Sequence, residues 1–329
     1  MTHDSIIHPI IIHECSHTLA AVFAMLTRLT VAATLLLGLA GCGSDDPGVA
    51  SSSSAAAQAG CTDDTTSGRD GVNLLPVAPA KVTLLDPGTG DRRLPAASPE
   101  LATPQSVTLI TTSSVQSPGS TDAQTVTVPM QARFGCDDPT DLEMTLGAVT
   151  SPDDTLADQL GPVEGSPAGL AIGPGSMPIS LRLLPADDAG PEARLAVEQS
   201  LLQALQVTVA LPTEPVAVGA RWRTDRTIDT AATVTQQIDA TLRSWDGDRV
   251  VIDISVDETP VNSVFAIPGT DATLTIARYT DAGTGQITMD LRRGLPVAGT
   301  LEMIGARELV GTDPAQPLIQ RTGLSVSWR

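Results

Sequence analysis

The chain has 329 residues, 38 of them acidic and 19 basic, and its formal net charge is −19. A chain of this length folds into one large domain or two small ones. Because nucleic-acid binding depends on a basic surface, we expect no nucleic-acid partner for so acidic a protein. All 4 histidines lie at or before position 17, so the rest of the chain has no imidazole for catalysis or metal binding.

An apolar segment, Leu29 to Ala40, comes directly after Arg28 and is followed by small residues. A basic residue, a short apolar run and a small-residue cleavage site are typical of a secretory signal peptide. As a helix this segment would rise only about 18 Å, which is less than the ~30 Å hydrocarbon core of a membrane. We therefore predict a signal peptide over residues 25–41. Residues 1–24 lack a basic region, so we expect translation to start at Met25 and any longer N-terminus to be disordered.

The residues Leu39-Ala40-Gly41-Cys42 resemble the lipobox of bacterial lipoproteins. The resemblance implies that the Cys42 thiol receives a diacylglyceryl group before the signal peptide is removed. A second fatty chain, such as palmitate, would complete the two anchors that stable membrane residence needs. We expect residues 42–73 to carry this anchor and a flexible polar tether. The folded part would then face the extracytoplasmic side of the cell membrane. The alternative is an ordinary signal peptide with a chance Cys at its end, which would leave the protein secreted.

One sequence matches a known metal motif, because His13-Glu14-Cys15-Ser16-His17 has the H-E-x-x-H pattern of zinc proteases. The match precedes the signal peptide, and no histidine follows that could complete the zinc site. We therefore predict neither a metal nor another cofactor. Removing residues 1–41 takes away Asp4, Glu14 and Arg28 and leaves 36 acidic and 18 basic residues, a net charge of −18.

Two cysteines remain once Cys15 and Cys42 are set aside. Cys61 and Cys136 form an even pair in an exported chain, and a disulfide between them is the simplest interpretation. The bond would contribute about 4 kcal/mol to stability in the chain-entropy model. Two free thiols are the alternative.

From about Leu74 the sequence alternates between apolar and polar residues, with Pro, Gly and Asp at the turns, as antiparallel strands do. Pro129 suggests an edge strand or a bulge. We predict turns at 116–119 and at 245–248. The predicted strands cover residues 106–115, 125–134, 233–242, 250–256, 273–279, 286–291 and 299–304, with a last apolar face at Leu324, Val326 and Trp328.

One helix is predicted from Pro191 to Gln206, with Gly190 as its cap and Pro191 at its first position. Val197, Leu201 and Leu205 form an apolar ridge on it. We therefore predict an α+β domain over residues 74–329, mainly antiparallel β, as a curved sheet or half-barrel with one long helix packed on it. A β-sandwich is the alternative, and the domain could consist of two halves joined by helix 191–206.

Three segments carry a resemblance to a known family: Leu211 to Trp222, Gly285 to Leu291 and Gly294 to Leu301. Together they resemble an uncharacterised family of bacterial secreted lipoproteins, over roughly residues 180–305. That family has no assigned activity, so the resemblance implies no role for any residue here.

Catalytic chemistry finds little support in the sequence. Acyl transfer through Ser and His lacks its histidine. A hydrolase that uses two carboxylates stays as an alternative, and we expect the candidate acids in turns or loops, where acids are solvated. The candidates are Asp153-Asp154, Asp187-Asp188, Asp246 with Asp248, and Asp257-Glu258.

We therefore predict a non-enzymatic protein of the cell envelope, anchored to the membrane by its N-terminal lipid. The first hypothesis is that sheet and helix enclose an apolar cavity, with Val197, Leu201 and Leu205 in its lining, that holds a lipid or another hydrophobic ligand. The alternative is an envelope scaffolding or protein-interaction domain in which sheet and helix pack solidly.

Overall fold

The structure is a computed structural model, and it describes residues 60–329. Cys42, the predicted signal peptide and most of the predicted tether lie outside the described residues. Within residues 60–329 the chain forms a 14-stranded sheet and two α-helices, α1 (Asp154–Leu160) and α2 (Pro191–Gln206). The strands are β1 (Asn73–Pro76), β2 (Lys81–Asp86), β3 (Gln105–Ser117), β4 (Ser120–Phe134), β5 (Asp141–Leu146), β6 (Pro167–Gly173), β7 (Met177–Leu183), β8 (Arg221–Asp229), β9 (Thr233–Asp246), β10 (Arg249–Pro260), β11 (Val264–Ala266), β12 (Thr273–Asp290), β13 (Ala298–Val310) and β14 (Leu318–Trp328).

All strands belong to one sheet in the order β1-β7-β6-β5-β4-β3-β14-β13-β12-β10-β9-β8-β2, with β11 paired to β12 outside this path. Each pairing is antiparallel. The predicted mainly antiparallel β structure is therefore confirmed. Strands before and after α2 join in the same sheet, since β3 pairs with β14 and β2 with β8.

The finer predictions of the fold need correction. The sheet is open and uncurled, with β1 and β2 as its two edges, so the predicted curved sheet or half-barrel is wrong and a two-sheet sandwich is absent from residues 60–329. Residues 60–329 contain two α-helices, of 7 and 16 residues, where the sequence predicts one: α2 is the predicted helix and α1 is additional. The strands predicted at 273–279 and 286–291 are one continuous strand, β12.

Pro129 does not lie on an edge strand, because β4 is a central strand between β3 and β5. The pairing of β4 with β5 begins only at Met130. Pro129 thus occupies the end of that ladder, where its missing N–H removes no regular bond. Only its carbonyl is used on this side, accepting from Gly147 N at 2.7 Å.

The strands follow the alternation of their sequences. On β4, Val126, Val128, Met130 and Ala132 are buried while the residues between them are not, as expected for a strand with one face on the core. The two predicted tight turns are confirmed. Gly119 (φ 86°) joins β3 to β4 and Gly247 (φ 55°) joins β9 to β10, and both φ values lie in the left-handed region that favours glycine.

Helix α2 begins and ends where the sequence predicts, with Pro191 in its first turn and Gly190 as its N-cap. It packs against α1 and against strands β3, β4 and β7. Neither helix is long and apolar enough to cross a membrane, a finding that concerns residues 60–329 alone.

Buried apolar side chains form a main core and a smaller second cluster. The main core combines α1, α2 and side chains from strands on both sides of α2 in the sequence. We call the face of the sheet that carries it the inner face. The second cluster consists of Ile228, Ala232, Val234, Phe265, Ile276 and Leu309.

Candidate functional site

The predicted ligand-lining ridge of α2 lies inside the main core. Val197 is 0% exposed, Leu201 3% and Leu205 4%, and all three belong to the same cluster as the inner-face residues of the sheet. Neither of the two surface grooves described below borders them. The ridge therefore serves as the packing surface between helix and sheet.

The predicted disulfide between Cys61 and Cys136 is confirmed. It begins a segment, residues 61–69, that crosses the outer face of the sheet and that we call the strap. Thr62 N donates to Phe134 O at 2.9 Å, and Cys136 N donates to Thr62 O at 3.0 Å. The strap is thus attached to the sheet where β4 ends.

A buried ion pair holds the strap at a second point. Glu143 on β5 and Arg182 on β7 are each 8% exposed, and Arg182 Nη2 lies 3.0 Å from Glu143 Oε1. The same carboxylate oxygen accepts from the backbone N of Thr66 at 2.9 Å, while Arg182 Nε donates to the Thr66 hydroxyl at 2.9 Å. Arg182 also pairs with Asp141. Since a buried charge is costly without partners, this network fixes Thr66 in one position.

Two neighbouring grooves lie on the outer face. The larger, of about 420 Å³, is bordered by Thr108, Pro129, Gln131, Thr145 and Arg329 among others. The smaller, of about 240 Å³, lies beside the strap and is bordered by Asp64, Arg69, Arg133 and Glu143 among others. Both include Gln131 and Thr145, so the two grooves are adjacent.

A second set of polar groups lies on the inner face, in one row with members on five strands. Arg226 on β8 is the register partner of Gln236 on β9, which is the partner of Glu258 on β10. Glu258 is in turn the partner of Asp281 on β12. We call these four residues, together with Thr322 on β14, the inner polar row.

The row is placed on the inner face by strand alternation. Glu258 follows Val256 by two residues and Gln236 precedes Ile238 by two, so each side chain points to the same side as its apolar neighbour in the main core. Beyond the row lie Val234 and Phe265 of the second cluster. The inner polar row therefore separates the two apolar clusters.

Hydrogen bonds join two parts of the row, Gln236 to Glu258 and Thr322 to Asp281. Gln236 Nε2 donates to Glu258 Oε1 at 2.9 Å, and the Tyr279 hydroxyl donates to Glu258 Oε2 at 3.1 Å. The Thr322 hydroxyl donates to Asp281 Oδ2 at 3.0 Å. The last bond passes over β13, where Gly305 is the register partner of both Asp281 and Thr322.

Both carboxylates of the row hold their protons more tightly than usual. Burial is the main cause of the raised pKa of Glu258, and the charges of Asp281 and Asp257 add to it, against the hydrogen bonds from Gln236 and Tyr279. Burial also raises the pKa of Asp281, opposed by the Thr322 hydroxyl and by Arg307. Burial and the Glu258 carboxylate raise the pKa of Tyr279. Adjacent acids with raised pKa values are a frequent mark of functional sites.

Arg226 connects the row to the segment that follows α2. Its Nη2 donates to the carbonyl of Thr208 at 3.0 Å, and burial lowers its pKa to about 10. The nearby Trp222 Nε1 donates to Ala210 O at 2.9 Å. These two bonds hold the segment after the helix against β8.

The sequence does not predict the inner polar row, because its pattern predicts a loop at Asp257-Glu258. The structure places both in β10, with Glu258 turned inward. The alternation of Val250, Ile252, Ile254 and Val256 continues to position 258, and this was the signal that could have placed Glu258 on the inner face. Among the other acids that the sequence places in turns or loops, Asp154 is the first residue of α1.

Chemically, the row can bind and release protons and can hydrogen-bond a polar molecule. No group of three or more His, Cys, Asp or Glu side chains suited to a metal ion occurs in the described part of the chain. No protein-family model matches the chain, and the comparison with curated proteins gives no match.

Proposed function

We propose that this protein is a lipid-anchored component of the bacterial cell envelope whose folded part acts as a solidly packed, non-catalytic interaction domain. The observation that carries the proposal is the burial of Val197, Leu201 and Leu205 in the main core. A helix that lines a ligand cavity keeps part of its apolar ridge free for the ligand. Here the whole ridge packs against the sheet. This favours a scaffolding role over the binding of a hydrophobic ligand.

The arrangement of the strap suits a domain that is held by its N-terminus. A lipid on Cys42 would pull on the chain through the tether, and the first attachments that the pull meets are the Cys61–Cys136 disulfide, the backbone bonds of Thr62 and then Thr66. These attachments pass the pulling force to strands β4, β5 and β7. The short edge strand β1 is therefore not pulled off the sheet. The proposed lipidation rests on the resemblance of Leu39-Ala40-Gly41-Cys42 to a lipobox.

The non-catalytic part of the proposal rests on how the carboxylate of Glu258 is used. Glu258 accepts a hydrogen bond on each oxygen, from Gln236 and from Tyr279. A catalytic acid needs a free oxygen directed at a substrate. The bonds of Glu258 are instead made within the sheet, as in a structural polar network.

Native mass spectrometry with organic extraction tests the packed domain. The protein would be expressed from residue 42 with the change Cys42→Ser, so that the anchor lipid is absent. We expect the mass of the protein alone, unchanged after incubation with phospholipid vesicles. A lipid that co-purifies at one molecule per chain would overturn the packed-scaffold proposal in favour of a lipid-binding cavity.

Membrane fractionation of cells that make the full chain tests the anchor. We expect the wild type in the membrane fraction and incorporation of labelled palmitate, both lost in Cys42→Ser. The matched control is the double change Cys61→Ser and Cys136→Ser, which removes two thiols but should leave the protein in the membrane. Membrane residence of Cys42→Ser would contradict the lipid anchor.

A further inference from the structure

Three polar atoms at the β8–β9 end of the inner polar row are buried without a hydrogen-bond partner among the described residues. They are Thr224 Oγ1, Arg226 Nε and Gln236 Oε1. Thr224 is 0% exposed, Arg226 4% and Gln236 1%. Thr224 and Arg226 are alternate residues on one strand, and Gln236 is the register partner of Arg226. The three side chains are therefore neighbours on the same face.

We propose that these three atoms form a binding site for one internal water molecule. The water accepts from Arg226 Nε–H and donates to Gln236 Oε1 and to Thr224 Oγ1. Buried polar atoms in folded proteins almost always have a partner, and an internal water typically makes about three hydrogen bonds. One molecule thus satisfies all three atoms.

The chemistry of the three atoms selects water over an ion. Gln236 Nε2 is engaged by Glu258 Oε1 at 2.9 Å, which fixes the orientation of the amide and turns its carbonyl oxygen to the other side. A ligand at that oxygen must donate a hydrogen bond, and a halide or carboxylate cannot. A cation is excluded because it would meet the guanidinium of Arg226. Water both donates and accepts.

The burial of the three side chains also favours water as the ligand. Thr224, Arg226 and Gln236 border neither of the two surface grooves, and their apolar neighbours Trp222 and Ile238 are 1% and 0% exposed. A close-packed interior of this kind excludes large ligands, and a single water is the smallest ligand that can satisfy the three atoms.

The water would complete a chain of hydrogen bonds across the sheet. At one end Arg226 donates to Thr208 O, just after α2. At the other end Glu258 accepts from Gln236 and Tyr279. With the water in place, the end of the helix and the carboxylate of Glu258 belong to one network, so the water positions Gln236 for its bond to Glu258.

The test is a crystal structure of the protein carrying Cys42→Ser, at better than about 1.5 Å resolution and from a solution that contains bromide. We expect one peak within about 3.2 Å of Arg226 Nε, Gln236 Oε1 and Thr224 Oγ1, without anomalous signal from bromine. An anomalous peak would overturn the proposal in favour of an anion site. A direct bond from Arg226 Nε to Gln236 Oε1 with no intervening peak would overturn it as well.

A pair of variants tests the same site in solution. Thr224→Val keeps the shape of the side chain but removes one partner of the water, and we expect the folding equilibrium constant to fall about five-fold. Thr227→Val on the exposed face of the same strand is the matched control and should leave the constant nearly unchanged. Equal constants for the two variants would exclude Thr224 from the site.

Discussion

Arg182 and Glu143 form an ion pair across an intervening strand. Arg182 lies on β7 and Glu143 on β5, and both have Gly169 of β6 as their register partner. Because Gly169 has no side chain, Arg182 Nη2 can reach Glu143 Oε1 at 3.0 Å over the backbone of β6. Asp281 and Thr322 meet over Gly305 in the same way, at 3.0 Å. Each face of the sheet thus uses a glycine to let a polar pair span three strands.

The first prediction concerns that glycine. A methyl group at position 169 would overlap Arg182 Nη2 and the Thr66 hydroxyl, so Gly169→Ala should displace both from Glu143. Separating a buried ion pair costs about 3–5 kcal/mol, and we expect the free energy of unfolding in urea to fall by roughly this amount. Gly161→Ala, where the added methyl meets no atom within 4 Å, is the control. Similar unfolding midpoints for the two variants would contradict the role of Gly169.

The second prediction concerns the disulfide. Cys61 and Cys136 are 75 residues apart in sequence, and the chain-entropy model assigns about 4 kcal/mol to closing a loop of that size. The double change Cys61→Ser and Cys136→Ser should therefore lower the free energy of unfolding by up to about 4 kcal/mol. Thr66 should stay bound to Glu143, so proteolysis should cut near residue 61 before it cuts β5. Cleavage of β5 at the same rate would refute this order.

The third prediction is a pH dependence that originates in Glu258. Its pKa is raised above the ordinary 4.5, so the native state binds the proton more tightly than the unfolded state does. The resulting stabilisation is fully present below about pH 4.5 and is lost as the pH rises through the native pKa. Glu258→Gln cannot lose a proton, and its stability relative to the wild type should increase between about pH 4.5 and about pH 7.

Urea unfolding at the two pH values measures this difference. Glu302→Gln removes a carboxylate from the exposed face of β13 and controls for the change in net charge. A relative stability of Glu258→Gln that stays constant over the range, or that falls, would show that burial does not raise the pKa of Glu258.

The fourth prediction separates a packed helix from one that lines a cavity. Leu201 is 3% exposed in the main core, and replacing a packed leucine by alanine costs about 2–5 kcal/mol. Leu201→Ala should lower the free energy of unfolding by an amount in this range, whereas Gln203→Ala, at a half-buried position of α2, should change it by less than about 0.5 kcal/mol. A loss below about 1 kcal/mol for Leu201→Ala would indicate free space beneath the helix.

Local features of the fold could be predicted well. The alternation in β4, β9 and β10, the turns at Gly119 and Gly247, and the bounds of α2 depend on a few adjacent residues, and the sequence contains those residues directly. The pairing of Cys61 with Cys136 followed from there being two cysteines left once Cys15 and Cys42 were set aside. Each of these features depends on neighbouring residues or on the number of cysteines in the chain.

Features that depend on strand order could not be predicted. Pro129 suggested an edge strand, yet β4 is central because β3 and β5 lie on either side of it. The predicted curved sheet or half-barrel was wrong as well, because the curvature of a sheet depends on how all of its strands and helices pack together. Glu258 is a further case, because two adjacent carboxylates are typical of a solvated loop and the pattern therefore predicts a loop where β10 continues.

What the sequence determined by itself was therefore the local structure, the acidic charge, the available thiols and the absence of histidine after position 17. The tertiary structure alone decided which distant residues meet: Arg182 with Glu143 over Gly169, and Gln236 with Glu258 between Arg226 and Asp281. The physical reason is that register between strands is set by the packing of the whole sheet. A polar row across five strands exists only once that register is formed.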